Sequence, residues 1–552
     1  MPTLEIEQGA AGSPHALLLR TRYEDRFAAR AAGGRWSKER GAWRFPLGAD
    51  LLRIAQTVPH VICTPSCTAH LQAEQERYAT LRDIAALPDA DVGEFGRDLD
   101  PHQRVAVLYL NTAGRALLAD DMGLGKTPTS IRACERVGAS RIIVVAVKSL
   151  HYNWLWEIGR WGVGTAEIVP TAAAALPDAR WLVTTYEGVV AHRDLFCQLA
   201  AVGLALIVDE AIKIKNPKAI RTEAIWAVAD HAEHVYLLSG APVNNNLAEL
   251  WSLLRTVDEP HHLSRWQWLE TWFHPDMIGG WDVRQVHLRD PERFQTYLGG
   301  FFIRRTKELL NLPPKSREFV RLQLGAEQKR IYRELAVYGM AKLDALGSDG
   351  ATRWVIAAEV IALIMRLRQV ACTPVLIGGA DVWAAKTEVF SDIVEDYHAD
   401  HKVVAFTTFR KYAEILHNRA KQKGAAPALI TGEMSDKRRW DEVRRFSDDP
   451  ACRVLVGTFG AAGMGLNLQA ADICVIADHD WVPNVNVQAE DRLHRRGQDK
   501  PVHVIVLQAA NTVDDYIEEV LARKEDQISE GLMVETALRG LRRDFQEVSE
   551  VG

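Results

Sequence analysis

One stretch of the chain decides its fold: Ala116-Leu117-Leu118-Ala119-Asp120-Asp121-Met122-Gly123-Leu124-Gly125-Lys126-Thr127. An apolar run, a glycine-rich turn and Lys-Thr at the start of a helix form a phosphate cradle, because glycines let backbone N–H groups close on phosphate oxygens. The lysine ammonium neutralises charge and the threonine hydroxyl holds Mg²⁺. The strict pattern has glycine where this chain has Asp120. The predicted nucleotide-binding residues here are Asp121, Met122, Gly123, Leu124, Gly125, Lys126 and Thr127.

A second signal lies downstream, at the end of a continuous apolar run. Residues 204–208 read Leu-Ala-Leu-Ile-Val, as in a strand buried on both faces of a parallel sheet, and Asp209-Glu210 follow. Such a pair alone is equally typical of a solvated turn. Next to a phosphate-binding turn, Asp209 is predicted to enter the Mg²⁺ shell and Glu210 to polarise the attacking water.

Composition sets broad limits on the class of protein. The 552 residues, 47% hydrophobic and 25% charged, are too many for one core and typical of a globular chain. The seven scattered cysteines favour a reducing compartment. No apolar run approaches bilayer length and no signal peptide is visible, so we expect no membrane contact and a cytoplasmic location, in a bacterial nucleoid or a phage-infected cell rather than a nucleus. With a net charge of −6, contact with nucleic acid must come from local basic faces.

The alternation of apolar strands and helical stretches predicts the domain organisation. The fold class is α/β: two doubly wound lobes with helical inserts and a small N-terminal α+β domain. Apolar residues spaced i, i+3, i+4 predict helices over residues 328–346 and 354–369. The predicted domains are an accessory domain (1–95), a first lobe (96–310) with a helical protrusion near 255–300, a helical insert (311–385), and a second lobe (386–552) with C-terminal helices.

The second lobe carries two further candidate sites. Arg492 and Arg495 are three residues apart, which on a helix places them on one face, where they could act as arginine fingers in phosphoryl transfer. The alternative is a solvated surface helix. Thr458 ends a buried strand that enters a glycine-rich turn at Gly463, which suits close approach to the phosphate backbone of a nucleotide or a nucleic acid.

The order of these motifs resembles that of the Swi/Snf-type ATPases of helicase superfamily two, whose engine is a pair of RecA-like lobes. The matching segments include Pro101-His102-Gln103, Thr184-Thr185-Tyr186-Glu187, Leu238-Ser239-Gly240-Ala241, Arg304-Arg305-Thr306-Lys307 and Leu312-Pro313-Pro314-Lys315. The resemblance implies a DNA-dependent ATPase that uses ATP and Mg²⁺ and binds double-stranded or branched DNA. It also implies that Gln103 reads adenine and that Gln488 lies at the nucleotide. The implied DNA contacts are Lys148, Ser149, Thr185, Tyr186, Asn244, Thr458 and Gly463.

Two departures from the family pattern stand out. Where the family has a histidine after Asp-Glu-Ala, this chain has Ile212. The carboxylates are intact, so hydrolysis is expected, but its coupling to DNA is altered. The family usually has proline ahead of Ser149-Leu150, where this chain has Lys148, and a lysine there offers a phosphate contact.

The N-terminal region resembles one branch of the family. Residues 34–46 read as a hairpin that interleaves aromatic and basic side chains, similar to the HARP-type domain of annealing helicases. Arg35, Lys38 and Arg44 are therefore expected to contact branched DNA. The alternative is that the hairpin aromatics form the core of the small domain, and both can hold. Two functions remain open: a motor that moves along duplex DNA, and a module in which ATP only switches DNA affinity.

Overall fold

The structure is a computed structural model that describes residues 2–8, 14–31, 35–45, 54, 58, 60–199, 203–240, 242–243, 247–257, 264–278, 282–310, 312–348, 353–462, 466–480 and 483–515. The chain divides into two compact units, Met1–Leu309 and Leu310–Gly552. Among the described residues, no helix has both the length and the apolar character needed to cross a membrane. Asn244, Gly463 and the C-terminal helices expected after residue 515 lie outside the described residues.

The first unit begins with a five-stranded sheet in the order β3-β4-β2-β1-β5. The strands are β1 (Thr3–Gln8), β2 (Pro14–Arg20), β3 (Arg35–Ser37), β4 (Ala42–Phe45) and β5 (Ile62–Cys63). Strands β3 and β4 pair antiparallel with Trp36 opposite Trp43, which confirms the predicted hairpin. Helices Arg26–Ala31 and Pro65–Ala85 accompany this sheet.

Helix Pro65–Ala85 also packs on the α/β part of the first unit. The buried Leu81 belongs to the core beneath that sheet, and the Tyr78 ring lies 5.8 Å from the ring of Phe301. The Arg77 guanidinium donates to the carbonyl of Ala113 at 3.1 Å. The end of the predicted accessory domain is therefore joined to the first lobe through a shared apolar core.

The α/β part of the first unit is a seven-stranded sheet, parallel throughout, in the order β14-β6-β11-β10-β7-β9-β8. Along β10, Leu206 and Val208 face one apolar core while Ala205 and Ile207 face another, so helices cover both faces as predicted. The strands are β6 (Arg115–Leu118), β7 (Arg141–Val145), β8 (Ala166–Ile168), β9 (Trp181–Thr184), β10 (Leu204–Asp209), β11 (His234–Leu238) and β14 (Phe302–Ile303). The helices are Pro101–Ala113, Lys126–Arg136, His151–Trp161, Tyr186–Ala191, Arg193–Gln198, Ile220–Ala229 and Leu250–Val257.

The segment near residues 255–300 differs from the helical protrusion that the sequence predicts. Between helices Arg265–Trp272 and Pro291–Leu298 it contains an antiparallel pair, β12 (Phe273–Ile278) and β13 (Asp282–Leu288). Valines in β13 favour a strand over a helix. Trp268 and Trp272 are buried against Phe294, so these two tryptophans are packing residues.

The second unit has its own sheet, in the order β15-β20-β19-β16-β18-β17, and all its strands are parallel. The strands are β15 (Lys315–Leu322), β16 (Val403–Thr407), β17 (Ala428–Ile430), β18 (Val454–Thr458), β19 (Ile473–Ile476) and β20 (Val502–Ala509). The helices are Ala326–Ser348, Arg353–Cys372, Ala385–Tyr397, Arg410–Gln422, Asp436–Asp448, Phe459–Ala462 and Pro483–Glu490. The first two confirm the helices predicted over 328–346 and 354–369. β15 belongs to the sheet although the sequence analysis assigned it to a helical insert, because its charged residues hide the strand from a search for apolar runs.

Candidate active site

The phosphate loop (residues 120–127) connects β6 to helix Lys126–Arg136. Gly123 and Gly125 have φ angles of 91° and 78°, in the left-handed region that glycine adopts without strain. A Cβ atom on Gly125 would also lie 2.0 Å from Nε2 of Gln103. Both backbone conformation and close approach therefore require glycine at position 125.

Lys126 lies against the backbone of the phosphate loop. Its ammonium donates hydrogen bonds to the carbonyls of Asp120 at 2.7 Å and of Asp121 at 3.2 Å. Thr127 follows on the first turn of the helix, whose N-terminal amides favour anions. The loop thus combines a cation, a hydroxyl and a helix N-terminus, which is the set of groups that a phosphate chain requires.

Gln103 is fully buried and supports the phosphate loop from behind. Its Nε2 donates to the carbonyl of Leu124 at 3.1 Å, and its Oε1 accepts from the amide of Asp100 at 2.9 Å. His102 Nε2 lies 3.1 Å from the same carbonyl of Leu124. Gln103 therefore positions the loop in the structure, and its contact with adenine stays a prediction.

The acid pair (Asp209 and Glu210) follows the central strand β10. The indole N–H of the buried Trp154 donates to Oδ2 of Asp209 at 2.9 Å, and the Glu210 amide donates to Oδ1 at 2.9 Å. Burial, and then the charge of Glu210, raise the pKa of Asp209 to about 6, against the opposing effects of Trp154 and of the Lys126 ammonium. Strands β6 and β10 both pair in parallel with β11, so the phosphate loop and the acid pair follow strand ends at the same edge of the sheet and form one site.

Glu210 has an unusual backbone conformation. Its φ of 53° lies in the left-handed region, which costs a non-glycine residue about 1–2 kcal/mol. The hydroxyl of Tyr186 donates to the carbonyl of Asp209 at 2.6 Å and also to that of Glu210 at 3.1 Å. This side chain holds the acid pair from within the core, and Trp154 holds it through the carboxylate.

Tyr186 therefore corrects the sequence analysis, which placed it among the DNA contacts. Only 3% of this residue is exposed, so nucleic acid cannot reach it, and it is a positioning residue for the acid pair. The side chain of Thr185 accepts from the amide of Gly188 at 2.9 Å and caps helix Tyr186–Ala191. Lys148 is exposed and Ser149 is half-buried on the turn before helix His151–Trp161, a placement compatible with the predicted DNA contact.

The sequence predicts that Arg492 and Arg495 lie on a helix, and the structure shows that they do not. Helix Pro483–Glu490 ends before them, and residues 491–497 form turns and bends. The carboxylate of Glu490 is buried and accepts from Lys315 at 3.1 Å and from Arg317. The side-chain Nε2 of Gln498 donates to the backbone carbonyls of Gln469, Ala471 and Leu493. After Glu490 the backbone turns more tightly: the amide of Arg492 donates to the carbonyl of Ala489 at 3.1 Å, and the amide of Leu493 donates to that of Glu490 at 3.0 Å. The prediction that both arginines share one helical face is therefore wrong.

The other predicted residues of the second unit that the structure describes are partly or fully buried. Arg492 is buried, and its carbonyl accepts from the amide of Leu468 at 3.1 Å. Arg495 is half-buried in the turns, and Gln488 is half-buried on helix Pro483–Glu490. Thr458 is buried at the end of β18.

Two functional contacts were missed from the sequence. Trp154 carries no motif signal that links it to Asp209, 55 positions away. The sequence shows the family motif Arg304-Arg305-Thr306-Lys307 but does not indicate what it does. In the structure, Arg305 pairs with Asp120 of the phosphate loop. That aspartate occupies the position at which the strict motif has glycine.

In the first unit, a doubly wound parallel sheet carries a phosphate loop and an acid pair. A second parallel α/β unit follows in the chain. These features define a P-loop nucleoside triphosphatase of the helicase type. Family models match in the same order: the SNF2-related domain over residues 102–376, and the helicase conserved C-terminal domain over residues 385–497. The chain belongs to the Swi/Snf-type ATPases of helicase superfamily two.

The curated relatives are longer proteins. The human "SWI/SNF-related matrix-associated actin-dependent regulator of chromatin subfamily A member 1" is 28% identical over 446 residues, which are 75% of this chain and 41% of that protein. The Arabidopsis thaliana "Probable ATP-dependent DNA helicase CHR12" is 27% identical over 489 residues, 80% of this chain and 42% of that protein. The chain thus spans about two fifths of the length of these relatives. Among solved structures, the "Sulfolobus solfataricus SWI2/SNF2 ATPase core in complex with dsDNA" is 23% identical, with a TM-score of 0.37, covering 84% of this chain and 97% of that one.

Proposed function

We propose that this protein is an ATP-driven motor that moves along double-stranded DNA. The observation that carries the proposal is the single site formed at one edge of the parallel sheet by Lys126 and the acid pair, in a chain of this family. The Lys126 ammonium neutralises phosphate charge, and the Glu210 carboxylate polarises the attacking water. A relative named as an ATP-dependent DNA helicase supports DNA as the track.

Mg²⁺ fits the residues of the site. Thr127 and Asp209 offer hydroxyl and carboxylate oxygens, the hard ligands that this ion prefers, and Trp154 fixes the orientation of the carboxylate. When bound, the ion neutralises charge that develops on the phosphates. Arg492 and Arg495 remain the proposed arginine fingers that stabilise the same charge.

The finer proposal is that the motor remodels branched DNA such as replication forks. The N-terminal hairpin (residues 35–45) supports it: Trp43 packs on the small core, while Trp36 stays 51% exposed with its ring 5.7 Å from that of Trp43. Lys38 and Arg40 are exposed at the turn. An exposed aromatic ring beside cations suits unpaired bases at a junction. The hairpin thus serves both the core and a surface.

The competing hypothesis is a module in which ATP switches DNA affinity without movement, because Ile212 replaces the coupling histidine. ATPase rates with duplex, single-stranded and forked DNA, together with displacement of a third strand from duplex DNA, separate the two. A motor shows DNA-stimulated hydrolysis and ATP-dependent displacement. Stimulation without displacement would favour the switch, and a Glu210→Gln variant that hydrolyses ATP at the wild-type rate would refute the site.

Substitutions test the fork proposal better than truncation, because helix Pro65–Ala85 shares its core with the first lobe. Replacing Arg35, Lys38 and Arg44 by alanine should leave basal ATPase intact and abolish the preference for forks. The salt dependence of binding should fall by about 0.7–0.9 log units per log salt for each lost phosphate contact. A triple variant with the wild-type salt slope and fork preference would show that the hairpin only braces the first lobe.

A further inference from the structure

We infer that Arg305 is a positioning residue for nucleotide binding: it acts through Asp120, and their ion pair sets the shape of the phosphate loop in place of the missing glycine. The inference rests on the proposed ATPase function. It gives a role to the Arg304-Arg305-Thr306-Lys307 motif.

The ion pair is buried and bidentate. Nε of Arg305 donates to Oδ1 of Asp120 at 3.0 Å, and Nη2 donates to Oδ2 at 2.6 Å. The Asp120 side chain is 2% exposed and the Arg305 side chain 12%. Paired geometry of this kind fixes both side chains, because a planar guanidinium matches a carboxylate in one orientation.

The same segment holds the phosphate loop through its backbone. The amide of Asp121 donates to the carbonyl of Arg305 at 2.9 Å, which continues the pairing of β6 with β14 beyond the strand ends. The Lys307 amide donates to Oδ2 of Asp121 at 3.2 Å. Arg305 Nη1 also donates to the carbonyl of His102, whose ring lies against Leu124 at the far side of the loop. Arg305 therefore ties both ends of the turn together.

Charge explains why the pairing matters for nucleotide. An unpaired carboxylate at position 120 would repel phosphates and would compete with them for the Lys126 ammonium, which already bonds to the Asp120 carbonyl. With Arg305 in place, the charge of the Asp120 carboxylate is neutralised by a bidentate ion pair, so the carboxylate does not compete with the phosphates for Lys126. The loop can then offer its lysine to the nucleotide.

The test compares Arg305→Met with a matched control in the same unit. Arg180 also makes a two-oxygen ion pair, with Glu135 at 3.0 and 2.9 Å, and that carboxylate is 7% exposed near the far end of helix Lys126–Arg136. Affinity for N-methylanthraniloyl-ATP with Mg²⁺ and the melting temperature would be measured for the full chain. Both variants should melt earlier, but only Arg305→Met should bind the nucleotide about 10- to 100-fold more weakly, as expected for a displaced binding group.

A double variant keeps the test decisive if Arg305→Met does not fold. Asp120→Gly with Arg305→Met removes both charges and restores the strict glycine pattern, so it should regain stability and most of the lost nucleotide affinity, because no carboxylate remains to compete for the Lys126 ammonium. A folded double variant that binds the nucleotide about 10-fold or more weakly than the wild type, or equal losses of affinity in Arg305→Met and Arg180→Met, would overturn the inference. If the wild-type protein binds the nucleotide in these assays, the proposed function stands even when the inference is overturned. A wild-type protein that fails to bind the nucleotide would overturn both.

Discussion

Tyr186 offers the sharpest test of how the acid pair is held. The Tyr186→Phe variant removes one hydroxyl and with it the bonds to the carbonyls of Asp209 and Glu210. Burial, and then the charges of the acid pair, raise the pKa of Tyr186 well above its usual value, so the hydroxyl is a proton donor throughout the assay range. The left-handed backbone of Glu210 costs about 1–2 kcal/mol, similar to the net worth of the lost bonds.

Without the Tyr186 hydroxyl, the Glu210 carboxylate should be out of its catalytic position for most of the time. A population shift of about 1–2 kcal/mol lowers kcat about 5- to 30-fold. The KM for ATP should stay within about twofold, because neither bond touches the phosphate loop. The assay is steady-state ATP hydrolysis at saturating duplex DNA, with thermal melting measured alongside.

Tyr109→Phe is the matched control. Tyr109 is fully buried in the same unit, and its hydroxyl donates to the carbonyl of Gly299 at 2.7 Å, away from the acid pair. It should lose stability of the same order, about 1–3 kcal/mol, and keep its kcat. If both variants lower kcat equally, or if Tyr186→Phe leaves kcat unchanged, the Tyr186 hydroxyl has no role in positioning the acid pair for catalysis.

Three further predictions address other parts of the site. Gly125→Ala should reduce nucleotide affinity sharply, because the added methyl group collides with the buried side chain of Gln103 and the positive φ is strained for alanine. Gly424→Ala is the control: its φ of 85° is equally strained but the space around it is open, so this variant should only lower the melting temperature. Without Mg²⁺ and nucleotide, Asp209→Asn should gain stability relative to the wild type as the pH rises from about 4 to 6. In this range the unfolded wild-type carboxyl loses its proton while the folded one, with its pKa raised to about 6, keeps it, so the free energy of unfolding of the wild type falls. A pH series of melting curves checks this, and the opposite trend would contradict it. Alanine at Arg492 or Arg495 should lower turnover by about 10³–10⁵ if they are arginine fingers, with ATP affinity nearly unchanged; losses below about threefold for both would refute that role.

The sequence predicts those parts of the fold and site that depend on local patterns. The strand before the phosphate loop and the strand before Asp209 are continuous apolar runs, and parallel sheets buried on both faces leave this pattern in the sequence. Glycine spacing marks the turn, and helical periodicity marks Ala326–Ser348 and Arg353–Cys372. All of these are read within windows of about twenty residues.

The remainder depends on contacts between distant residues. The pairing of Asp120 with Arg305 joins positions 185 apart, and no local pattern specifies it. β15 lies at the edge of its sheet and carries charges that mimic a solvated segment. The turns and bends at residues 491–497 interrupt an apparently helical pattern, where the carbonyl of Arg492 accepts from the amide of the distant residue Leu468. In each case tertiary contacts override the local preference.

The late position of β14 in the chain has a consequence for synthesis on the ribosome. Arg305, which directly follows the edge strand Phe302–Ile303, is synthesised 185 residues after Asp120, a delay of about 10–40 s at ordinary elongation rates. During that interval the nascent phosphate loop carries an aspartate without its partner, beside a sheet edge that is still uncovered. A fragment that stops before residue 302 would keep this immature state permanently, so expression of the first unit alone should extend through Leu309.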